Sequence, residues 1–334
     1  MRVLITGGYG FLGAWIIRRL LADGAQPFVY DLRADERRSR QIVPAERLSE
    51  VTFVPGNVTD QATLSAALAT HGITHVIHLA GLQVPTCRAN PILGAQVNVQ
   101  GTLAVLEAVS RAQPRPQLVY ASSAAVFGPP SAYPAGPLDD NVQLSPSTHY
   151  GYFKCCNEGN ARIYWQDHQL PSVGLRPWTV YGVGRDLGMT SEPTKAIKAV
   201  VVGRKYHISF GGITDFQLAD DVAAAFIRGV TQPSHGAPAY NLRGAVVDMA
   251  SFHRELCAVA PAAEQLVTFG TQQIAIAYNL SDAAWQRDFG PLPPTPLRTG
   301  IAQTFAHFQQ LHQAGLLDTA DLDAAPAPVV ADEP

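Results

Sequence analysis

The sequence predicts an α/β fold, a doubly wound parallel sheet with a smaller C-terminal lobe, on three observations. Short β-branched runs alternate with segments of helical periodicity over roughly the first 180 residues. The first run, Met1-Arg2-Val3-Leu4-Ile5-Thr6, enters a G-x-x-G-x-x-G turn at Gly7, Gly10 and Gly13, and an apolar-periodic segment follows from Ala14 to Leu21. Finally, the carboxyl ends of successive runs carry glycines, an acid, small residues and hydroxyls. That edge is where such sheets bind ligands.

Each element can be read in turn. A strand, a tight glycine turn and a helix N-terminus form a pyrophosphate site, because backbone N–H groups approach the phosphates and the helix dipole favours their charge. Asp23-Gly24-Ala25 stops the first helix, and Pro27 to Tyr30 is a second strand ending at Asp31. An acid there, 18 positions past Gly13, suits the ribose hydroxyls of adenosine and repels a 2′-phosphate. The expected cofactor is NAD. Residues 34 to 50 are charged and helix-like. Val51 to Val54 is a third strand, and Thr59 is the expected N-cap of a helix from Ala62 to Thr70. Thr74 to Gly81 is a fourth, buried strand ending in small residues, with His78 a satisfied core histidine. A long helix spans Gly94 to Ala112, and Gln117 to Ser123 is a fifth strand with two terminal hydroxyls.

Beyond a proline-rich loop from Pro129 to Ser147, a helix begins near Tyr150, and Val173 to Pro177 is a sixth strand. The alternation then fails. Tyr181 to Thr190 reads as loop, Ser191 to Gly203 as helix, Phe216 to Gly229 as helix, Tyr240 to Leu242 and Val246-Val247 as short strands. Met249 to Val259 and Gly300 to Leu317 read as helices. Residues 1–180, with a returning segment near 216–243, are the expected cofactor domain. Residues 181–215 and 244–317 are the expected substrate lobe, and 318–334, rich in Ala, Pro and acids, an expected disordered tail.

Composition narrows the function classes. The 334 residues are 47% hydrophobic and 15% charged with net charge -3, which supplies a large core and argues against a nucleic-acid or anionic-membrane surface. No run approaches 18 consecutive apolar residues, so no membrane span is expected. Cys87, Cys155, Cys156 and Cys257 lack metal or disulfide spacing, and a reducing cytoplasm and no metal site are expected.

The chemistry rests on Ser123, Tyr150 and Lys154. Tyr150 and Lys154 stand four apart on one helix face. A tyrosine with a pKa of about 10 is a poor base, and an adjacent ammonium favours its phenolate. Ser123, ending the fifth strand, can hold a substrate oxygen for proton transfer.

In these motifs the chain resembles the extended short-chain dehydrogenase/reductase family, of the nucleotide-sugar epimerase/dehydratase type. The resemblance rests on Thr6 to Gly13, His78-Leu79-Ala80, Asn98 to Thr102, Ser122 to Gly128, Tyr150 to Lys154 and Arg176-Pro177, and covers about residues 1 to 230. It implies a Rossmann-type sheet, bound NAD(H), Tyr150 as acid/base supported by Lys154, and Ser123 at the position of the family's catalytic Ser/Thr. It also implies a homodimer through helices near 94–112 and 150–168. The expected cofactor set is Gly7, Gly10, Phe11, Leu12, Gly13, Asp31, Leu32, Arg33, Asn57, Val58, Leu79, Ala80, Gly81, Asn98, Ser122, Tyr150, Lys154, Pro177 and Thr179. The expected substrate set is Gln83, Ser123, Ala124, Thr179 and Arg185.

Departures from the family narrow the reaction. Sugar 4,6-dehydratases look like Thr-Asp-Glu where this chain has Ser123-Ala124-Ala125, so the eliminating carboxylates are missing. Leu175 to Gly182 is similar to UDP-glucuronate 4-epimerases, with Arg185 following where those enzymes meet a carboxylate. The family's diphosphate-clamping Arg-Asp-Tyr/Phe is Thr214-Asp215-Phe216 here, and threonine cannot supply the charge. No Arg-x-Gly-Asp-like motif follows in the C-terminal lobe. The expected reaction is NAD-dependent oxidation of a secondary alcohol on a sugar-like or sugar-acid substrate. The alternatives are a nucleotide-sugar 4-epimerase, with Lys195, Lys198, Arg204 and Lys205 replacing the missing arginines, and a non-catalytic NAD-binding protein.

Overall fold

The computed structural model describes residues 1–232 and 234–323. Its central sheet contains β1 (Arg2–Thr6), β2 (Gln26–Asp31), β3 (Thr52–Pro55), β4 (His75–His78), β5 (Gln117–Ala121) and β6 (Val173–Arg176). After β7 (Thr179–Tyr181), β8 (Tyr206–Ile208) and β9 (Ile213–Leu218), β10 (Ala239–Asn241) returns to complete it. The order is β10-β6-β5-β4-β1-β2-β3, and every pairing is parallel. The chain reverses its direction of travel across the sheet between β1 and β4, so the crevice at their carboxyl ends is the switch point.

The sheet is buried on both faces, as parallel sheets are. Val3 and Ile5 of β1 join the core on one face and Leu4 the core on the other, following the two-residue period of a strand. The first face is covered by the Phe11–Ala22 and Ala219–Thr231 helices. Trp15, Ile16, Ile17, Leu20 and Leu21 of the former are all buried, each worth about 1.5–3 kcal/mol. Gln61–Thr70, Gly101–Arg111 and His149–His168 cover the second.

The smaller lobe carries a three-stranded sheet of β7, β9 and β11 (Ala245–Asp248) and a pair of β8 with β12 (Val267–Phe269). Its helices include Glu192–Val201, Met249–Val259 and Leu297–Gln313. Strand β7 brings the lobe directly onto the carboxyl end of β6.

Four expectations need correction. The Gln61–Thr70 helix is capped by Asp60, whose carboxylate accepts from Thr63 N at 3.1 Å; Thr59 stands one residue earlier, in a turn where its N–H donates to Asn57. Phe216 to Leu218 finish strand β9, and the helix begins at Ala219. The long helix is one run from Pro91 to Arg111 interrupted by a π turn at Gln96–Gln100. Its 21 residues are long and apolar enough to cross a bilayer, yet half of its most apolar window is buried within the protein. Residues 318–323 of the expected tail are packed: Lys198 donates to Asp318 O at 3.0 Å and pairs with Asp321 at 2.7 Å, and Leu322 is buried. Residues 324–334 lie outside the described residues.

Candidate active site

A cavity of about 620 Å³ runs along the switch point, between the sheet edge and the lobe. Its floor is the glycine turn. Gly7 has φ +67°, and a Cβ there would fall 2.8 Å from the Ala80 Cα; a Cβ on Gly13 would fall 2.2 Å from Gly8 O. The Phe11–Ala22 helix starts at Gly10 with no side-chain cap, so its first N–H groups face the cavity unclaimed by a side chain. Backbone held this close, with an uncapped helix start, fits a dinucleotide pyrophosphate.

Asp31 closes β2 beside this floor. Its carboxylate accepts from Leu32 N at 2.8 Å and more weakly from Tyr9 N at 3.4 Å. Burial pushes its pKa up, against those two hydrogen bonds and the field of Arg38. Arg33, Asp35 and Arg38 line the same end.

At the other end stand Ser123, Tyr150 and Lys154. Thr148 caps the His149–His168 helix by accepting from Gly151 N at 3.0 Å, which sets Tyr150 in the first turn. Gly151 lets that turn lie against the strand end: a Cβ would fall 2.2 Å from Ala125 O. Burial raises the Tyr150 pKa, while a hydrogen bond from Ser123 and the charge of Arg185 lower it. Ser123 Oγ accepts from Ala125 N at 3.1 Å. The Lys154 ammonium sits 5.5 Å from the Tyr150 ring centroid and donates to Ala121 O at 2.6 Å. Burial depresses its pKa to about 8. Beneath them, Ser122 donates to Glu158 at 2.5 Å, and Glu158 forms a buried two-point pair with Arg176 at 2.7 and 2.8 Å. A phenol, a hydroxyl and a lysine so arranged can hold an alcohol oxygen and move its proton.

The wall from Leu79 to Gln83 is held by a hydrogen-bond chain. Thr102 Oγ1 donates to Asn98 O at 2.7 Å, so His78 Nε2 must donate to Thr102, at 3.0 Å. His78 Nδ1 then accepts from Thr6 Oγ1 at 2.7 Å, and Thr6 in turn accepts from Ala80 N. Burial holds the His78 pKa down at about 3, so the ring is neutral. Asn98, turned inward by the π segment, accepts from Leu82 N at 3.0 Å and donates to Leu82 O at 3.1 Å.

The lobe closes the Tyr150 end of the cavity with the loop after β7. Arg185 donates to Thr190 Oγ1 at 3.2 Å and lies 5.5 Å over the Phe11 ring, but its buried Nε has no hydrogen-bond partner among the described residues. Burial pulls its pKa down to about 10. Trp178, Met189 and Ile276 complete an apolar surface beside it.

All expected cofactor residues line this cavity except two. Asn98 is behind the wall, positioning Leu82 rather than facing a ligand. Thr179 is fully buried, its hydroxyl 2.7 Å from that of Thr214, so it belongs to neither the cofactor nor the substrate lining. Gln83, Ser123, Ala124 and Arg185 do line it. Thr214 and Asp215 are buried in the lobe sheet, and Asp215 accepts from Gly244 N and Gln217 Nε2. Lys198 and Arg204 are engaged with Asp321 and Asp323, and none of Lys195, Lys198, Arg204 or Lys205 faces the cavity. Sequence reasoning missed Arg38, Trp178, Met189 and Ile276. The charged stretch around 34–50 was the one available signal for Arg38, and only tertiary structure brings in Ile276. Among the described residues, no group of three or more His, Cys, Asp or Glu side chains is placed to hold a metal ion.

Comparison with known proteins agrees with this geometry. Residues 3–242 match the model of the NAD dependent epimerase/dehydratase family. A UDP-glucose 4-epimerase from Mycolicibacterium smegmatis is 28% identical, over 94% of this chain and 100% of its own. The crystal structure of a Thermus thermophilus UDP-glucose 4-epimerase in complex with NAD superposes with a TM-score of 0.78 at 25% identity, covering 92% of this chain and 99% of that one. An L-threonine dehydrogenase from Cupriavidus necator in its holo form shares the fold, with a TM-score of 0.78 at 22% identity over 92% and 99% of the two chains. A glycine floor shaped for a pyrophosphate, an acid ending β2 and a family match over most of the chain converge: the protein belongs to the NAD dependent epimerase/dehydratase family and is an NAD-dependent enzyme.

Proposed function

We propose that the protein oxidises a secondary alcohol on a compact, carboxylate-bearing, sugar-like substrate. Tyr150 takes the proton of the substrate hydroxyl, Ser123 holds that oxygen, and Lys154 supports the phenolate. Arg185 receives the carboxylate. The glycine floor and Asp31 would hold NAD, which when bound would supply the hydride acceptor. One observation carries the choice of substrate. Arg185 is a cation on the cavity wall with an unpartnered buried Nε, while the position of the family's diphosphate clamp is Thr214, buried against Thr179. A carboxylate would give Arg185 a charge-assisted partner; a nucleotide diphosphate would find no arginine at Thr214.

A second reading, a 4-epimerase, is supported by the relatedness to UDP-glucose 4-epimerases over nearly the whole chain. There the same residues would return the proton after hydride is redelivered to the opposite face. A screen of NADH formation separates them: sugar acids should yield free NADH. Tight binding of UDP, or turnover of UDP-sugars without NADH, would replace the first reading by the second.

The large apolar residues Ile92, Leu93, Tyr152 and Ile163 are exposed on the Pro91–Arg111 and His149–His168 helices. They support a homodimer through those helices, and light scattering at twice 35.8 kDa is the expected result. The four cysteines, all free thiols, suit a reducing cytoplasm.

A further inference from the structure

The loop after β7 carries two adjacent charges to different parts of the cavity. Arg185 lies at the substrate end beside Tyr150; Asp186 reaches Arg38, which lines the adenosine end with Asp31. Arg38 donates through Nε and Nη2 to Asp186 at 2.8 to 3.2 Å, and both side chains are largely buried. The loop is fixed there from two sides. Trp15 Nε1 donates to Val183 O at 3.0 Å, and Gly184, at φ +87°, packs where an added Cβ would fall 3.0 Å from Ile42 Cδ1 and 3.8 Å from Arg38 Cβ. The other nearby acids have their own partners: Asp35 pairs with Arg37, and Glu36 with Arg40. Asp186 is therefore the principal counterion of Arg38, whose charge also acts on Asp31.

We propose that Asp186 is a cofactor-selectivity residue. By engaging the Arg38 guanidinium, it denies the adenosine end a cation that would bind the 2′-phosphate of NADP. Selectivity for NAD then has two parts, the repulsive carboxylate of Asp31 and an arginine held out of use by a residue 148 positions away. This rests on Asp31 marking the adenosine end.

The test is direct binding of NAD and NADP, by calorimetry, without any substrate. Asp31→Asn should weaken NAD and narrow the preference; unchanged NAD affinity would refute the placement of adenosine rather than the role of Asp186. Adding Asp186→Ala should tighten NADP about tenfold, ~1.4 kcal/mol, and added salt should shrink the gain. Adding Arg38→Gln should abolish it. No gain from Asp186→Ala, or a gain that survives Arg38→Gln and so belongs to exposed Arg33, overturns the proposal. Circular dichroism checks folding, and if the alanine variant unfolds, Asp186→Asn in the otherwise unaltered chain must show the same direction of change.

Discussion

At its glycine-floor end the cavity is walled by backbone; at the end beside Arg185, the proposed substrate end, it is walled by side chains on a loop. The glycine floor, the uncapped helix start and the Leu79–Gln83 wall recognise by main-chain position, and each is locked by contacts that leave no room for a methyl group or by a closed chain of hydrogen bonds. Trp178, Arg185, Met189 and Ile276 come instead from the lobe or its approaches, and Arg185 has a hydrogen-bond donor to spare. Such a division lets one cofactor platform serve many substrates, because side chains on a loop can change without disturbing the sheet.

That contrast can be broken in several ways. The largest effect is expected where the two ends meet: Tyr150→Phe should lower turnover by about 10²–10⁴-fold while NAD binding, read by fluorescence titration, persists. Arg185→Gln should raise the KM for a carboxylate substrate by about 10- to 100-fold, the worth of a hydrogen bond to a charged group, with NAD affinity unchanged. Gly13→Ala should do the reverse, because the new methyl meets Gly8 O; overpacking of about 1–3 kcal/mol would appear as weaker NAD binding and a lower Tm. If Arg185→Gln weakened NAD as much as Gly13→Ala, the two ends would not be separable.

A separate effect, on stability rather than on activity or binding, concerns pH. Burial raises the Asp215 carboxyl from 3.8 to about 7, so the folded protein holds a proton that the unfolded chain releases. Stability should fall as pH rises from about 4 to 7 and then level off. Asp215→Asn should flatten that part of the Tm profile, and an unchanged slope would exclude Asp215 as its source.

Much of the cofactor end was legible because its constraints are local. Glycine spacing, an acid at a strand end and a tyrosine four residues before a lysine are each set within a few residues of backbone. The lobe resisted reading for the opposite reason. Strand β9 carries Thr214 and Asp215 inward, so burial there does not follow hydrophobicity, and helix was predicted where Phe216 to Leu218 complete the strand. Their motifs place Asn98 and Thr179 in the lining, but their side chains satisfy Leu82 and Thr214 instead. Arg38 and Asp186 stand far apart in the chain, and neither carries a local signal for the other.

The segment that follows Leu317 sets where the chain can be cut. Lys198 is 93% covered, and its ammonium is met by the Asp321 carboxylate and the Asp318 carbonyl. A protein ending at Leu317 would keep every residue of the cavity wall yet lose both groups that meet that ammonium and part of the cover over the Glu192–Val201 helix. A fusion partner or affinity tag therefore belongs beyond Asp323, where the lobe that carries Arg185 keeps its closing strap.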